Sequence, residues 1–494
     1  MHSSIAPGMK ALHHPRLSPL AFALAGLIAL CTALTAAASS LNLPELGDST
    51  SAVVSRQQEQ EMGEAWLRMF RSRVPDYNDP EIEAWLEQLL QRIVQHSSLR
   101  NKELHLVLIS NPTINAFAAP GGIIGVHSGL LLTAQSEGEV ASVLSHELAH
   151  LSQRHWVRSV EAAQQNRLPA LAAMLTGLIL MATNNGQAGM AAITSAQAAS
   201  LESSLRFSRQ NEQEADNIGM QTLVEAGYSP EVMTQMFERL LESQRFQGKR
   251  PPEYLLSHPV TEKRVADSEV RARQLPRSAY TDSLDYHLIR ARVQLHHEEN
   301  PSMAVKRFQS EVEGASLHPE ASRYGLALAL IQARRFAEAE TALNELLRQR
   351  PQQSHYWLAS VQLDLERGDA AAAIKRLSAM PQNQSFPARM LLAKAYMQQQ
   401  QYPSAEQVYA ALAQQRPEDV HVWYELAEVR GLAGNIAGVH LARAEYFLLN
   451  GIYDKARKHL EYAQQLLKDS YVDSERIKQK LIEIDALEKA SLEI

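Results

Sequence analysis

The stretch from Glu139 to Trp156 reads EVASVLSHELAHLSQRHW. Val143, Leu144, Leu148 and Leu151 recur at helical spacing, so the pattern that opens at Glu137 predicts a buried helix running through to His155. Within it stands His146-Glu147-x-x-His150. Residues i and i+4 of a helix share a face, with Cβ atoms about 5–6 Å apart. Two imidazoles so placed can grip one zinc ion, and Glu147 sits beside it to take a proton from water. A solvated helix with two histidines is the plainer reading of this stretch taken alone.

A catalytic zinc needs a third protein ligand and one open position. One class of zinc proteases finds that ligand by placing a glycine three residues after the second histidine and a histidine three further on. Gln153 and Trp156 hold those places here, which excludes that class. His155 is one residue off the spacing and reads as a surface group or as a group that backs a ligand. A second stretch, Ser208 to Met220 (SRQNEQEADNIGM), offers carboxylates on another helix. Glu212 and Asp216 are i and i+4 and share a face, whereas Glu214 points elsewhere. The spacing permits Glu212 as third ligand and Asp216 as the acceptor that orients a ligand histidine. A solvated acidic face is the competing reading.

Around these helices the region 45–270 mixes helical and strand patterns. Lys102 to Ser110 (KELHLVLIS) alternates and predicts a strand. Ala116 to Leu132 carries Pro120-Gly121-Gly122, a turn signal between two strands. Residues 168–200 are uncharged and broken at Thr183-Asn184-Asn185-Gly186. Each apolar part is short for the roughly 20 residues that span a bilayer. The segment reads as a buried helix pair, a flap over the zinc site, or a hairpin that touches a membrane peripherally.

Residues 281–494 lack strand signals. Ala339, Ala372, Ala405 and Gly438 are each separated by 33, and Phe336, Asp369, Tyr402 and Asn435 keep the same phase. Ala304 precedes the first by 35, and Ala456 follows the last by only 18, so one helix near 437–449 serves two units. Leu326, Ala327, Leu392 and Ala393 fill matching places in first helices. This resembles the tetratricopeptide repeat, a helix–turn–helix unit of about 34 residues that stacks into one array.

The chain has 494 residues, net charge −7 and one cysteine, Cys31. That excludes a disulfide framework and cysteine-rich zinc modules, and the acidic balance argues against nucleic acid as partner. Lys10 and Arg16 precede an apolar run from Leu17 that ends Ala36-Ala37-Ala38, the layout of a secretory signal peptide over 1–38. Its removal takes Cys31 and leaves 46 basic against 55 acidic side chains, a charge of −9. The predicted architecture is an α+β zinc metalloprotease domain, mostly helical with a small sheet, over 45–270, followed by an all-α repeat solenoid over 281–494.

These features together resemble the HExxH metalloprotease family that includes the CAAX prenyl endoprotease and HtpX. The resemblance rests on INAFAAPGGIIGVHSGLL (Ile114 to Leu131), SHELAH (Ser145 to His150) and NEQEAD (Asn211 to Asp216), and covers most of the chain after residue 38. It implies one zinc ion (Zn2+) per chain on His146, His150 and Glu212, with Asp216 behind them and Glu147 as general base. A following Ser257-His258-Pro259 and Arg264 match a further family motif. His258 and Arg264 are thereby the candidates to stabilise the oxyanion, with His258 alternatively a fourth ligand that closes the site. The edge strand Ile114, Asn115, Ala116, Phe117 and Ala118 is a candidate to pair with an extended substrate, or is purely structural. With a signal peptide and repeats, the chain looks like those periplasmic members that degrade unfolded or misassembled outer-membrane β-barrel proteins and dock on the barrel-assembly machinery through the repeats. The competing function is a repeat-based chaperone or adaptor with latent proteolysis. Members of the family can carry cysteines that staple protease to repeats. Without them, the resemblance leaves open how the two parts dock.

Overall fold

The computed structural model describes residues 54–74, 77–162, 175–180, 201–246, 252–314 and 316–492. The segment 1–38, with Lys10, Arg16 and Cys31, lies outside the described residues, as does most of 168–200. Two helices come first, α1 (Arg56–Arg71) and α2 (Pro80–Val94). Ser55 caps α1 in a reciprocal pair with Gln58. Asp79 caps α2 by accepting from the backbone N–H of Glu81 and Ile82, with Pro80 in the first turn. Ile82, Leu86, Leu89, Leu90 and Ile93 turn one face of α2 into the main core.

Strands β1 (His105–Ile109), β2 (Ala116–Ala119) and β3 (Ile123–His127) follow. Gly121 and Gly122 take φ of 81° and 78°, values that disfavour side chains, and so let the Pro120 turn fold β2 back on β3. β2 is antiparallel to β3, β1 is parallel to β3, and the order is β1-β3-β2. β2 is therefore an edge strand. His127 N donates to Asn115 O at 3.0 Å, which marks these two as a hydrogen-bonded pair. By alternation Phe117 and Ala119 bond to β3, while Ala116 and Ala118 direct their backbone groups outward.

After a short α3 (Ser128–Thr133) comes α4 (Glu137–Ser152), capped by Ser136 and buried at every residue from Glu137 to Leu151. The helix does not run on to His155 as its pattern predicts. Arg154 adopts φ 51°, held by Glu59 at 2.9 Å and by the Val54 carbonyl at 2.8 Å. The chain turns there and restarts as α5 (His155–Ala162). α6 (Leu201–Glu225) packs along α4, followed by α7 (Glu231–Phe246), α8 (Glu253–Ser257) and α9 (Glu262–Ala272). Of the uncharged segment, residues 175–180 are helical, and Leu175, Leu178 and Ile179 pack with Trp66, Phe70 and Phe117. Among the described residues no helix is long and apolar enough to cross a membrane.

From Leu284 onward the described residues form a helical array in which Leu284–His296 and Pro301–Glu313 both pack on Pro319–Gln332, and each later helix packs on the next, to Tyr453–Leu466 with Tyr471–Leu492. The helix N-caps at Arg335, Asp369, Gln401 and Asn435 advance by 34, 32 and 34 residues, not by a constant 33. The fixed phase misses in one unit: Ala373 is buried, and Ala372 only half so. Gly325 marks a close pairing, since a Cβ there would lie 2.3 Å from the Phe308 ring. Ile436–Leu449 packs against the helices on both sides, Val420–Leu432 and Tyr453–Leu466, as the shortened spacing to Ala456 predicts.

Docking needs no cysteine. Leu284–His296 belongs to two cores at once: Tyr286, Ile289 and Val293 face the core around α4, and Leu288, Ala291 and Leu295 face the helical array. Tyr286 donates to the carbonyls of Leu131 and Ala134 at 3.1 and 2.6 Å. The acidic face of α2 meets cations of the array. Arg292 reaches Asp79 at 2.9 Å and Glu81 at 2.8 Å, His355 reaches Glu81 at 2.5 Å, and Arg416 holds Glu83 and Glu87. Leaving buried Glu81 and half-buried Asp79 without Arg292 costs up to about 3–5 kcal/mol, the usual penalty for breaking a buried pair. Arg292→Met is therefore expected to lower the urea midpoint of the protease and first repeats together. A repeat transition that separates from an unchanged protease transition would contradict this docking.

Candidate metal centre

Helix α4 presents His146 and His150 on one face, with their Nε2 atoms 3.0 Å apart. Helix α6 crosses close enough that a Cβ at Gly219 would lie 3.0 Å from the Cα of His146. That approach brings Glu212 to the histidines: its carboxylate oxygens lie 3.5 Å from His146 Nε2 and 3.4 Å from His150 Nε2. His258 comes from the end of α8. Proline at 259 disfavours helix at the residue before it, and His258 takes φ −123° and ψ 77°. The imidazole stacks on Tyr254 and reaches Glu212 with Nδ1 at 3.0 Å. His146, His150, Glu212 and His258 thus offer four donor atoms within 4.8 Å of one another.

Behind the donors lie their supports. Asp216 Oδ1 is 3.0 Å from His146 Nδ1, which leaves His146 Nε2 to face Glu212. Arg264, in the first turn of α9 capped by Thr261, donates to both oxygens of Asp216 at 2.9 and 2.7 Å. It also lies 3.1 Å from Glu212 and donates to the Pro259 carbonyl at 2.8 Å. The guanidinium is buried and committed to these acceptors, so its place is behind the carboxylates and not at a substrate oxygen.

Glu147 is buried beside the cluster, and its Oε1, 3.6 Å from His258 Nε2, has no hydrogen-bond partner. Burial is the main reason its carboxyl is pushed above the usual range, and the backbone N–H of Ala118 partly offsets that. Burial also opposes the charge on Glu212, yet His258, His146 and Arg264 together hold its carboxyl well below that range. His146 is raised to about 10, against burial, by Asp216 and Glu212. A buried nitrogen-and-carboxylate set with this demand for positive charge fits a divalent cation of the zinc type.

His155 was placed by spacing only as a surface or backing group. It is buried, with Nδ1 2.8 Å from His150 Nδ1 and Nε2 3.3 Å from Glu214. Burial lowers it to about 4, so it is neutral. Glu214, which points away from the Glu212–Asp216 face, is thus tied to the site through His155. No glycine marks the left-handed turn at Arg154 that swings His155 back, and a continuous helix would have carried it off the metal face.

The comparisons fit this geometry. The model of peptidase family M48 matches residues 80–272, and tetratricopeptide-repeat models match 324–382 and 364–429. The beta-barrel assembly-enhancing protease of Escherichia coli O157:H7 is 34% identical over 432 residues, 87% of this chain and 88% of that protein. The chain belongs to the family of β-barrel assembly-enhancing proteases. The Yersinia pestis member is 33% identical over 83% of this chain and 84% of its own. The mitochondrial metalloendopeptidase OMA1 of Schizosaccharomyces pombe is 29% identical over 40% of this chain and 54% of its own. As a member of this family the protein is a metalloprotease with a metal cofactor, joined to a repeat array.

Removing the carboxylate that orients a ligand histidine typically costs 10–100-fold in metal affinity. Asp216→Ala is expected to weaken affinity by about that factor in competition with a chromogenic chelator. Unchanged affinity would mean that Asp216 does not orient His146.

Proposed function

We propose that the chain is a periplasmic zinc endopeptidase that cuts unfolded or misassembled outer-membrane β-barrel proteins, and that its repeats dock it to the barrel-assembly machinery. The convergence of His146, His150 and Glu212 beside a buried Glu147 carries this reading. The signal-like segment 1–38 supports export, with the working chain starting at Ser39. The assembly-enhancing name of its relatives supports the client class.

His146, His150 and Glu212 would hold the zinc ion. Bound there, zinc would supply Lewis acidity for peptide hydrolysis. Glu147 is placed to take a proton from the attacking water and to deliver it to the leaving amine. Its raised affinity for protons suits both halves of the transfer. Asp216 and Arg264 hold the ligands in place. His258 closes the site as a fourth donor and must swing away before substrate enters.

The edge Ile114–Ala118 receives an extended substrate by main-chain hydrogen bonds. In this closed arrangement its outward groups are met by donors and acceptors of the chain itself. Tyr254 N donates to Ile114 O at 3.2 Å, and the Trp156 indole donates to Ala118 O at 2.7 Å. Glu147 accepts from Ala118 N–H. A substrate strand replaces these contacts, and Tyr254 leaves together with His258.

This closed arrangement also favours a second reading, a repeat-based chaperone or adaptor whose proteolysis is latent. Glu147→Gln separates the two. It is expected to lower peptide cleavage by about 10²–10⁴-fold with metal content intact. Client maturation that survives the change would make binding the main activity. A chelator should abolish cleavage of unfolded β-casein, and zinc should restore it. His258→Ala is expected to raise basal cleavage, and unchanged or lower activity would refute the closing role. Trp156→Phe, which keeps the ring and removes the N–H, is expected to lower KM for β-casein, whereas a raised KM would speak against substrate at Ala118.

A further inference from the structure

The two ligand histidines of α4 are backed in parallel ways. Behind His146 stands Asp216, itself held by Arg264. Behind His150 the equivalent place is taken by a longer arm. His155 Nδ1 lies 2.8 Å from His150 Nδ1, and His155 Nε2 lies 3.3 Å from Glu214 Oε2. Arg158, one turn along α5 from His155, donates to the same Glu214 oxygen at 2.9 Å. The carboxylates Glu212, Glu214 and Asp216 all come from α6. Residues 212 and 216 face α4, while 214 lies on the side that faces α5.

We propose that His155, Glu214 and Arg158 form a positioning relay that fixes the tautomer and ring orientation of His150 and so sets the metal affinity of the site; this rests on the reading of His146, His150 and Glu212 as ligands. The hydrogen bonds permit one consistent order. His150 presents the Nε2 lone pair to the other donors, so Nδ1 carries the proton and donates to His155 Nδ1. His155 then carries its proton on Nε2 and donates to Glu214. Glu214 is an acceptor held by Arg158. Each nitrogen has one role, and no proton is left over. A ligand histidine held in this way keeps its orientation before metal arrives and is a better donor when it does.

The arm has a consequence that the Asp216 arm lacks. The Glu214 side chain is 35% exposed and that of Arg158 30%, so the relay runs from the buried His150 to the surface. Both His155 and Arg158 sit on α5, a short helix that starts at the left-handed turn of Arg154. A shift of α5 therefore loosens His150 without moving α4 or α6.

The test is zinc affinity of the mature chain from Ser39, measured by competition with a chromogenic chelator. His155→Phe keeps a buried ring and removes both nitrogens. It is expected to weaken zinc affinity by about 10–100-fold, the usual effect of losing such a partner. Glu214→Gln is expected to act in the same direction by a smaller factor and to shift the visible bands of the cobalt-substituted protein. Glu214 is partly exposed, so that variant decides the matter if His155→Phe fails to fold. Wild-type affinity and an unshifted cobalt spectrum in Glu214→Gln would overturn the relay. His146→Ala runs beside them. If it too retains zinc, the ligand assignment itself fails; if it alone loses zinc, only the relay fails.

Discussion

The closeness of α4 and α6 is the constraint on which the rest depends. At Gly219 the two backbones approach so tightly that a methyl group would touch the Cα of His146. That contact places carboxylates from one helix against imidazoles from the other. Helices with side chains between them normally lie about 8–10 Å apart. Wider spacing here would take Glu212 out of reach of His146 and His150. α4 is buried along almost its whole length, so the candidate ligands His146 and His150 stand on a rigid element and not on a loop. The sheet, α2, α7 and the first repeat helix share the core that holds α4 in place.

Charge follows from that burial. Glu147, Glu212 and Asp216 are all enclosed, and unpaired carboxylates there would be expensive. Arg264 offsets part of the cost by spanning Asp216 and Glu212. The remaining demand for positive charge is what a metal ion satisfies. Away from the site the same principle fastens the two parts of the molecule. Asp79 at the cap of α2 and Glu81, Glu83 and Glu87 along it meet Arg292, His355 and Arg416 from three separate places in the array. The repeats therefore wrap the protease through a helix that also carries its core.

Much of this was readable in the residues, and the exceptions have physical causes. The helical face of His146 and His150, the strands around Pro120-Gly121-Gly122 and the face shared by Glu212 and Asp216 follow from local periodicity. Arg264 followed only as part of a motif, and its partners could not be read, because the contact spans α6 and α9. His155 was harder still. Its contact with His150 exists only because Arg154 breaks the helix, and that break is fixed from outside by Glu59 and Val54. A constant period of 33 misses by one residue at Ala373, because the helix there buries the fourth residue after its Asp369 cap and not the third. Docking through Tyr286 and Arg292 left no local trace at all.

The central claim is that the donors from α4 and α6 hold one zinc ion beside Glu147. A crystal structure of residues 39–494 grown with zinc, with data collected at the zinc absorption edge, tests it most directly. The account predicts one strong anomalous peak within about 2.0–2.2 Å of His146 Nε2, His150 Nε2 and a Glu212 oxygen. A peak that leaves out Glu212, or none at this position in zinc-replete crystals, would contradict it.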